Sequence, residues 1–594
     1  MISFLDWIIV FSFTFIILIL GLAVSKSAAK NSKQYFLSGR NMPWWLLGVS
    51  MVATTFSADT PNLVTELVRK NGVAGNWVWW AFSLTGMMTV FFYAKLWRRS
   101  KVVTDLEFYE IRYSGKSASF LRAFRAIYLG VFFNVMIMAS VSLAGIKIGG
   151  LLLDLSPFQC VFYTSLLTVM YSTLGGLRSV IVTDFVQFIL AMIGSIWACI
   201  YIVNLDEIGG LSSLFSHVNV QNKLDFFPDF NDYDSLFSIL IIPIAVQWWS
   251  VWYPGAEPGG GGYIAQRMLS AKNENGAVKA TLLFNIFHYA LRPWPWILIA
   301  LSSLVIFPEL DDISKNFPYI DSKVIGHDLA YSAMLSKLPN GLLGLMLASL
   351  IAALMSTLSS HLNWGSSYIT LDFYKRFIDV RASENKIVLV GKISTVLLMI
   401  LSSILALYLE SALSAFKILL QIGAGTGLIF ILRWFWWRIN AFTEITGMIV
   451  SFLIALYFEF LHHELFSFQF TTDEQLIIGV LLTTFSWLSI TLLTKPTDVN
   501  KLSEFYNLVK PKGYGWNGFL ILAKKNGVNI LEGRDSFILD FTSMLLGIII
   551  IYCSLFSIGF ILYSNLLASI VLLSIVSISM VLLLKNQQKN LIFK

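Results

Sequence analysis

The sequence predicts an all-α membrane protein, a polytopic bundle of about fifteen transmembrane helices. Three observations lead to this fold class. Of the 594 residues, 56% are hydrophobic and only 13% are charged, and the mean hydropathy of +0.71 is far above that of water-soluble globular proteins. Apolar runs of roughly 18 to 25 residues, which span a bilayer as helices, recur along the whole chain. These runs are continuous rather than alternating, which favours helices over a closed barrel.

The apolar runs place the helices in order. The first run, near residues 4–24, begins without a basic stretch and has no small-residue cleavage site before the following loop, so we interpret it as a retained helix rather than a signal peptide. The other predicted helices lie near 43–69, 73–97, 118–146, 157–174, 180–204, 236–258, 277–306, 340–373, 386–409, 413–436, 440–460, 475–494, 536–562 and 565–584.

Charge in the connecting segments predicts the orientation. Segment 25–41 carries basic residues and no acid, whereas segment 205–235 carries six acids against one lysine. Because Lys and Arg near helix ends stay on the cytoplasmic side, we expect the N-terminus outside and the C-terminus in the cytoplasm, with the chain in the plasma (inner) membrane. The cytoplasmic loop 495–535 is too short for an independent catalytic domain.

Two of the apolar runs are interrupted. The second run contains Asp59, Thr60 and Pro61, and a proline removes a backbone donor, so nearby carbonyls must face protein, water or an ion. A proline kink satisfied by neighbouring helices is the alternative. The seventh run is interrupted by two prolines and five glycines in "QWWSVWYPGAEPGGGGYIAQR", residues 247–267.

Each interrupted run opens a set of five helices. Two sets of five with matching interruptions predict a five-plus-five inverted repeat with two discontinuous helices, the architecture of transporters whose binding site lies near the bilayer midplane. The predicted organisation is an N-terminal helix and basic loop at 1–42, the first repeat at 43–204, an extracellular loop at 205–235, the second repeat at 236–436, and accessory helices at 437–594.

The ninth run carries one small and polar face. Ala353, Ser356, Thr357 and Ser360 follow the i, i+3, i+4, i+7 spacing that places side chains on one side of a helix. Their oxygens could ligate a hard cation. Close helix packing through small residues, with hydroxyls bonded back to the helix, is the alternative.

This sequence resembles the sodium:solute symporter family over roughly residues 30–440. Four motifs carry the resemblance: "YFLSGRNMPWWLLGVSMVATTFSAD" (35–59), "STLGGLRSVIVTDFVQ" (172–187), "GYIAQRMLSAK" (262–272) and "MSTLSSHLNWGSSYITLDFYK" (355–375). The resemblance implies a LeuT-type fold and a sodium site. Laid onto this sequence, the sodium ligands it implies are the carbonyls of Ala53, Phe56 and Ala353 and the hydroxyls of Ser356 and Thr357.

Two further positions take their interpretation from the resemblance. Asp184, at the start of the sixth helix, is implied as a ligand of a second sodium, while a helix cap or a salt bridge to Arg178 is the alternative. Sugar carriers of the family place an acidic sugar ligand where this sequence has Trp79. That departure argues against a typical sugar pocket.

The solute is expected to bind between the two interruptions. Asp59 is an ionisable group near mid-membrane, where such groups are usually functional, and it could attract sodium, hold a substrate amine or cap the second half-helix. Arg292 is a further intramembrane charge that either binds a substrate carboxylate or is neutralised by a protein acid, with Glu257 a possible partner. The predicted substrate residues are Asp59, Thr60, Trp79, Gln247, Trp248, Trp252 and Glu257.

The motifs of common enzymes do not occur: there is no P-loop, no H-E-x-x-H and no nucleophile elbow, so an enzyme is not expected. The sequence predicts a secondary-active symporter that imports a small organic solute with sodium by alternating access. Its expected partners are the solute, Na⁺ as coupling ion and the lipid bilayer, with no nucleic acid and no obligatory protein partner. A proton-coupled transporter, with Asp59 or Glu257 as proton carrier, and a passive channel or transporter-like receptor are the alternatives.

Overall fold

The computed structural model describes residues 2–25, 31–250, 258–320, 325–409, 412–531 and 536–592. Throughout this part of the chain the secondary structure is helical, and β-type pairing is limited to one isolated bridge between Met42 and Ala271. Ten of the described helices are long and apolar enough to cross a membrane. The predicted class, a polytopic bundle of helices, is confirmed.

The helices comprise long principal spans and shorter elements. Most of them match predicted apolar runs, and the additional ones lie in connecting segments. The principal helices are Phe4–Ser25, Trp44–Thr55, Asp59–Asn71, Trp77–Trp80, Ser83–Met88, Ala94–Ser100, Gly115–Leu153, Pro157–Val203, Tyr233–Ala245, Gly262–Ser270, Glu274–Ile306, Leu342–Ile378, Glu384–Ala406, Ala412–Phe435, Ala441–Leu465, Thr472–Leu493, Phe537–Leu562 and Leu566–Ile592. Shorter helices are Ser32–Leu37, Glu107–Arg112, Leu211–Ser216, Leu310–Asn316, Leu329–Leu335, Val499–Val509 and Asn517–Lys525.

The helices predicted at 157–174 and 180–204 follow each other with hardly any loop. Their joint is Gly176, whose φ of 53° lies in the left-handed region inside the span Pro157–Val203. Glycine is needed there for two reasons: other residues rarely adopt this φ angle, and a Cβ atom would lie 2.6 Å from the carbonyl oxygen of Tyr35. The connection is a sharp bend at one residue, which an apolar-run pattern does not resolve.

The second predicted helix is broken into two half-helices, Trp44–Thr55 and Asp59–Asn71, which we call the first broken helix. Phe56 ends the first half with φ −85° and ψ 70°, outside the helical range. Pro61 lies in the first turn of the second half, where its missing N–H has no intrahelical partner to lose. The break therefore lies at residues 56–58, upstream of the proline.

The second broken helix consists of Tyr233–Ala245, a short turn at Gln247–Trp249 and the half-helix Gly262–Ser270. Positive φ angles at Gly259 and Gly260 turn the chain into the second half. Residues 251–257 lie outside the described residues. The predicted substrate positions Trp252 and Glu257 therefore have no structural account.

The helix Leu342–Ile378, which we call the serine helix, lies at the centre of the bundle. In its most apolar stretch 89% of the residues are buried, against 17% in Leu566–Lys589 at the periphery. Its N-terminus is capped by a carboxylate from another helix, because Asp6 Oδ1 accepts hydrogen bonds from the backbone N–H groups of Gly341 (2.6 Å) and Gly344 (2.7 Å). The N-terminal helix thereby fixes the position of the serine helix.

The backbone of the second broken helix touches a glycine of the neighbouring helix Ala412–Phe435. A Cβ atom at Gly427 would lie 1.8 Å from the carbonyl oxygen of Trp249, so the two backbones pack without space for a side chain. Replacing Gly427 with alanine must displace one of them.

We expect Gly427→Ala to reduce the free energy of unfolding by about 1–3 kcal/mol, the usual effect of overpacking. The measurement is the thermal unfolding midpoint of detergent-purified protein. Gly150→Ala is the matched control, since a Cβ there would meet no atom closer than the Leu155 carbonyl oxygen at 3.9 Å. Equal midpoints for the two variants would contradict the close contact.

Candidate functional site

The serine helix contacts the first broken helix next to its break. The Thr357 hydroxyl donates a hydrogen bond to the Thr54 carbonyl oxygen at 2.9 Å and a second, at 3.1 Å, to the Ala353 carbonyl one turn earlier. The Thr54 and Ser360 hydroxyls are 2.8 Å apart. Polar oxygens from two helices therefore meet where the first half-helix ends.

Asp184 joins a third helix to this meeting point. Its carboxylate accepts hydrogen bonds from Ser50 Oγ of the first broken helix (2.5 Å) and Ser356 Oγ of the serine helix (2.6 Å). It lies 3.5 Å from Nη2 of Arg267, which comes from the second broken helix. All four side chains are buried. Asp184 pairs with Arg267 rather than with Arg178.

Arg267 is a residue of this cluster that the sequence reasoning did not assign. Its guanidinium donates to Ser360 Oγ (2.6 Å) and Ser50 Oγ (3.2 Å) and carries the charge that balances Asp184. Arg267 lies in the quoted motif "GYIAQRMLSAK". A basic residue in a half-helix that starts at mid-membrane needs an acidic partner. This requirement could have indicated from the sequence that Arg267 pairs with an acid. We call Ser50, Thr54, Asp184, Arg267, Ser356 and Ser360 the Asp184 cluster.

The predicted sodium ligands lie around these contacts. Ala53 and Phe56 are buried on either side of the Thr54 carbonyl, and Ala353, Ser356 and Thr357 are buried on the facing serine helix. The Ala53 carbonyl also accepts the backbone N–H of Phe56 at 3.1 Å. A hydroxyl group that donates a hydrogen bond to a carbonyl or carboxylate oxygen still has lone pairs with which it can bind a cation. This donor set of carbonyls and hydroxyls suits a hard monovalent ion.

The described part of the chain contains no cluster of side chains typical of a transition-metal site. Among those residues no three His, Cys, Asp or Glu side chains come together as metal ligands would.

The break also leaves two polar residues partly accessible in a buried stretch. Every residue from Leu46 to Ala58 is buried, whereas Asp59 and Thr60 are half-buried. Thr60 Oγ1 lies 3.4 Å from the Thr55 carbonyl oxygen across the break, and Asp59 Oδ1 is enclosed without a hydrogen-bond partner. Among the described residues, Asp59 thus carries an unsatisfied carboxylate oxygen directly after the break.

Trp79, a predicted substrate residue, packs against the helix Glu274–Ile306. Its ring is stacked on Tyr289 with centroids 5.9 Å apart and meets the edge of His288 at 5.8 Å. Its indole N–H is satisfied by Asn76 Oδ1 at 2.9 Å. Trp79 thus forms an aromatic wall with Tyr289.

Gln247 and Trp248 hold the second broken helix against the segment that carries Trp79. Gln247 Nε2 donates to the Val78 carbonyl oxygen at 2.7 Å, and the Trp248 carbonyl accepts from the Thr85 hydroxyl. These hydrogen bonds connect the second broken helix to the segment that carries Trp79. For Gln247 and Trp248 the structure therefore shows contacts within the protein that hold these two elements together.

A small cavity lies between these elements. Its volume of about 40 Å³ is close to that of one or two water molecules, so it is too small for an organic solute in this conformation. It is lined by Phe82, Thr85, Gly86, Thr89, Gly260, Tyr263, Ile264, Thr281, Phe284, Asn285 and Tyr289. The second broken helix, the segment that follows Trp79 and the helix Glu274–Ile306 thus meet around this space.

Comparison with known proteins identifies the family. The model described as "SSF: Sodium:solute symporter family" matches residues 35–451, more than half of the chain. The chain belongs to the sodium:solute symporter family. The assignment made from the four motifs is confirmed, and with it a sodium-coupled solute transporter in the membrane, with Na⁺ as coupling ion, rather than an enzyme.

Several relatives of this symporter are known by name. The sodium/glucose cotransporter of Vibrio parahaemolyticus is 26% identical over 476 residues, which cover 77% of this chain and 86% of the relative. The sodium/myo-inositol cotransporter 2 of Sus scrofa is 26% identical over 482 residues, covering 76% and 68%. A solved structure of a Na⁺-coupled sialic acid symporter shares the fold with a TM-score of 0.65, at 21% identity, over 84% of this chain and 99% of that one.

The Asp184 and Arg267 charges should stabilise the symporter jointly. Because either charge alone would remain buried without its partner, we expect Asp184→Asn and Arg267→Gln each to cost about 3–5 kcal/mol. The double variant should lose clearly less than the sum, with a coupling of at least about 1 kcal/mol. Thermal unfolding of the four detergent-purified proteins measures this cycle. Strictly additive losses would show that the two charges do not interact.

Proposed function

We propose that this chain is a secondary-active symporter that imports a small organic solute together with sodium across the plasma membrane by alternating access. The observation that carries the proposal is the contact of the Thr357 hydroxyl with the Thr54 carbonyl beside the break. It brings the two elements that would share an alkali ion within hydrogen-bond distance of each other.

The proposed sodium site uses the oxygens of Ala53, Phe56, Ala353, Ser356 and Thr357. The carbonyl of Phe56 belongs to the non-helical end of the first half-helix, where the helical hydrogen-bond pattern stops. The Ser356 hydroxyl donates a hydrogen bond to Asp184, so the lone pairs of its oxygen are available to a cation. Asp184 therefore orients a sodium ligand. For Asp184 itself to bind a second sodium, that ion would have to displace Arg267.

Sodium binding at the break supplies a means of coupling. Moving one positive charge inward through 100 mV contributes about 2.3 kcal/mol before any concentration gradient is added. The ion can drive transport only when it binds one conformation better than the other. A site divided between the first broken helix and the serine helix has that property, since any relative movement of the two changes its oxygen cage.

The proposed architecture is a five-plus-five inverted repeat within about fifteen transmembrane helices. Its halves are 43–204 and 236–436, flanked by 1–42, the extracellular loop 205–235 and the accessory region 437–594 with its cytoplasmic loop 495–535. Each half opens on a broken helix, which supports the pairing. The N-terminus would then lie outside and the C-terminus in the cytoplasm.

Contacts at both ends of the bundle support a gated carrier over an open pore. At one end Arg69 binds the Ser303 and Pro308 carbonyls, and at the other Arg122 pairs with Asp372 at 2.7 Å. A carrier must have both ends closed at some stage, while a channel needs a continuous polar path. Proton coupling through Asp59 remains the second candidate, supported by the enclosed Oδ1 atom of that carboxyl group.

Sodium binding can be tested without knowing the solute. We expect Ser356→Ala combined with Thr357→Ala to weaken ²²Na⁺ binding to detergent-purified protein at least about tenfold, because two of five oxygen ligands are lost, a cost of roughly 1.4 kcal/mol or more. Ser349→Ala is the control, since that buried hydroxyl on the same helix bonds only within its own turn, to Met346.

Unchanged ²²Na⁺ affinity in the double variant would remove the proposed site. A pH-dependent uptake into liposomes that needs no sodium, together with loss of that uptake in Asp59→Asn, would favour the proton-coupled alternative.

A further inference from the structure

Arg292 is a buried cation beside the break whose described contacts are all with neutral groups. Its Nε donates to the His288 carbonyl oxygen (3.2 Å), Nη1 to Thr55 Oγ1 (3.2 Å), and Nη2 lies 3.3 Å from His288 Nε2. The guanidinium carbon stands 5.3 Å above the Trp296 ring. Among the described residues no carboxylate lies within 4.0 Å of Arg292.

Several other cations buried in the bundle have acidic partners. Arg267 lies 3.5 Å from Asp184, Arg125 lies 3.4 Å from Glu444, and Lys95 pairs with Asp540. An unpaired charge inside a membrane is expensive, so evolution of a stable fold normally supplies the counter-charge from the protein. Arg292 differs from these three because, within the part of the chain that the structure describes, no carboxylate contacts it. A guanidinium in that situation is suited to receive an anion from outside the fold.

Asp59 faces the same break from the opposite side. Thr55, which Arg292 binds, is the last residue of the first half-helix, and Asp59 is the first of the second. The Asp59 and Arg292 charges interact electrostatically, yet they are not in ion-pair contact, and Asp59 Oδ1 has no hydrogen-bond partner. Two opposite charges are thus held near each other with their polar atoms not joined.

The helix that carries Arg292 also contributes Asn285 and Tyr289 to the lining of the small cavity. Asn285, two turns before Arg292 on the same helix, donates through Nδ2 to the Thr281 carbonyl but leaves its buried Oδ1 without a partner. A Cβ atom at Gly86 would lie 1.9 Å from this Oδ1, so Gly86 keeps the approach free of a side chain. Trp79 and Tyr289 supply the aromatic wall.

We propose that the solute is a zwitterion of the amino-acid type, with its carboxylate bound by Arg292 and its ammonium by Asp59. A planar guanidinium binds a carboxylate through two parallel hydrogen bonds, and Asn285 Oδ1 adds an acceptor for an ammonium N–H. The inference rests on the proposed sodium-coupled transport. It predicts strong rejection of analogues that lack either charge, because each would leave a buried partner unpaired.

Thermal unfolding of the full-length protein in detergent with NaCl or choline chloride tests the solute class. The probes are the twenty standard L-amino acids, glucose, galactose and myo-inositol. We expect a stabilising shift in NaCl from at least one amino acid and none from the sugars. For the best amino acid, the matching decarboxylated amine and 2-hydroxy acid should each need at least tenfold higher concentration for the same shift.

Variants separate recognition from folding. Arg292→Gln and Asp59→Asn should each lose the stabilisation by the amino acid. Arg292→Lys keeps the positive charge but not the planar, two-pronged guanidinium, and should retain part of that stabilisation. Sodium-dependent stabilisation without solute reports that a variant is folded. Arg381→Gln, at an exposed arginine in a loop, is the matched control and should behave as the unmodified protein.

Stabilisation by a sugar alone, or by nothing in the set, would overturn the zwitterion proposal and leave sodium coupling standing if ²²Na⁺ still binds. An amino-acid shift that persists in Arg292→Gln would overturn it too. An amino-acid shift that is equal in NaCl and choline chloride would instead support the recognition site and count against sodium coupling.

Discussion

A helix that ends inside a membrane exposes polar backbone groups that lipid cannot satisfy, and the centre of this protein is organised around that requirement. The first broken helix stops at Thr55 and resumes at Asp59. Next to this break the Thr54 carbonyl accepts a hydrogen bond from Thr357 of the serine helix, and Arg292 donates one to the Thr55 hydroxyl. The proposed sodium site and the proposed solute site would both use polar groups at this one break.

Burial of charge explains how the surrounding elements are held. The Asp184 cluster joins both broken helices to the serine helix through one carboxylate, one guanidinium and several hydroxyls. In a low-dielectric interior such a network is strong only when every member is satisfied. Movement of any of these elements during transport must therefore exchange these partners for others. Sodium, a cation that prefers the same oxygen atoms, is a natural participant in that exchange.

Much of this arrangement was predictable from sequence, and the remainder has identifiable physical reasons. The length of the apolar runs predicted the helices, and the "SADTP" stretch predicted the first interruption. The break lies before Pro61 because a proline is tolerated in the first turn of a helix. Helical spacing gave the face of Ser356 and Thr357. The pairing of Arg267 with Asp184 and the contact of Arg292 with Thr55 join segments that are distant in the sequence, which periodicity within one helix does not encode. The runs predicted at 157–174 and 180–204 placed an interruption where Gly176 bends the chain, whereas the helix Val499–Val509 is too short for a search by bilayer-spanning length to find.

The most direct test of the central claim is a pair of high-resolution cryo-EM maps of the protein, one in sodium chloride and one in choline chloride. The account predicts a density in the sodium map alone, between the carbonyls of Ala53, Phe56 and Ala353 and the hydroxyls of Ser356 and Thr357. A sodium-dependent density elsewhere in the bundle, or an unbroken helix through residues 56–58 in either map, would contradict it.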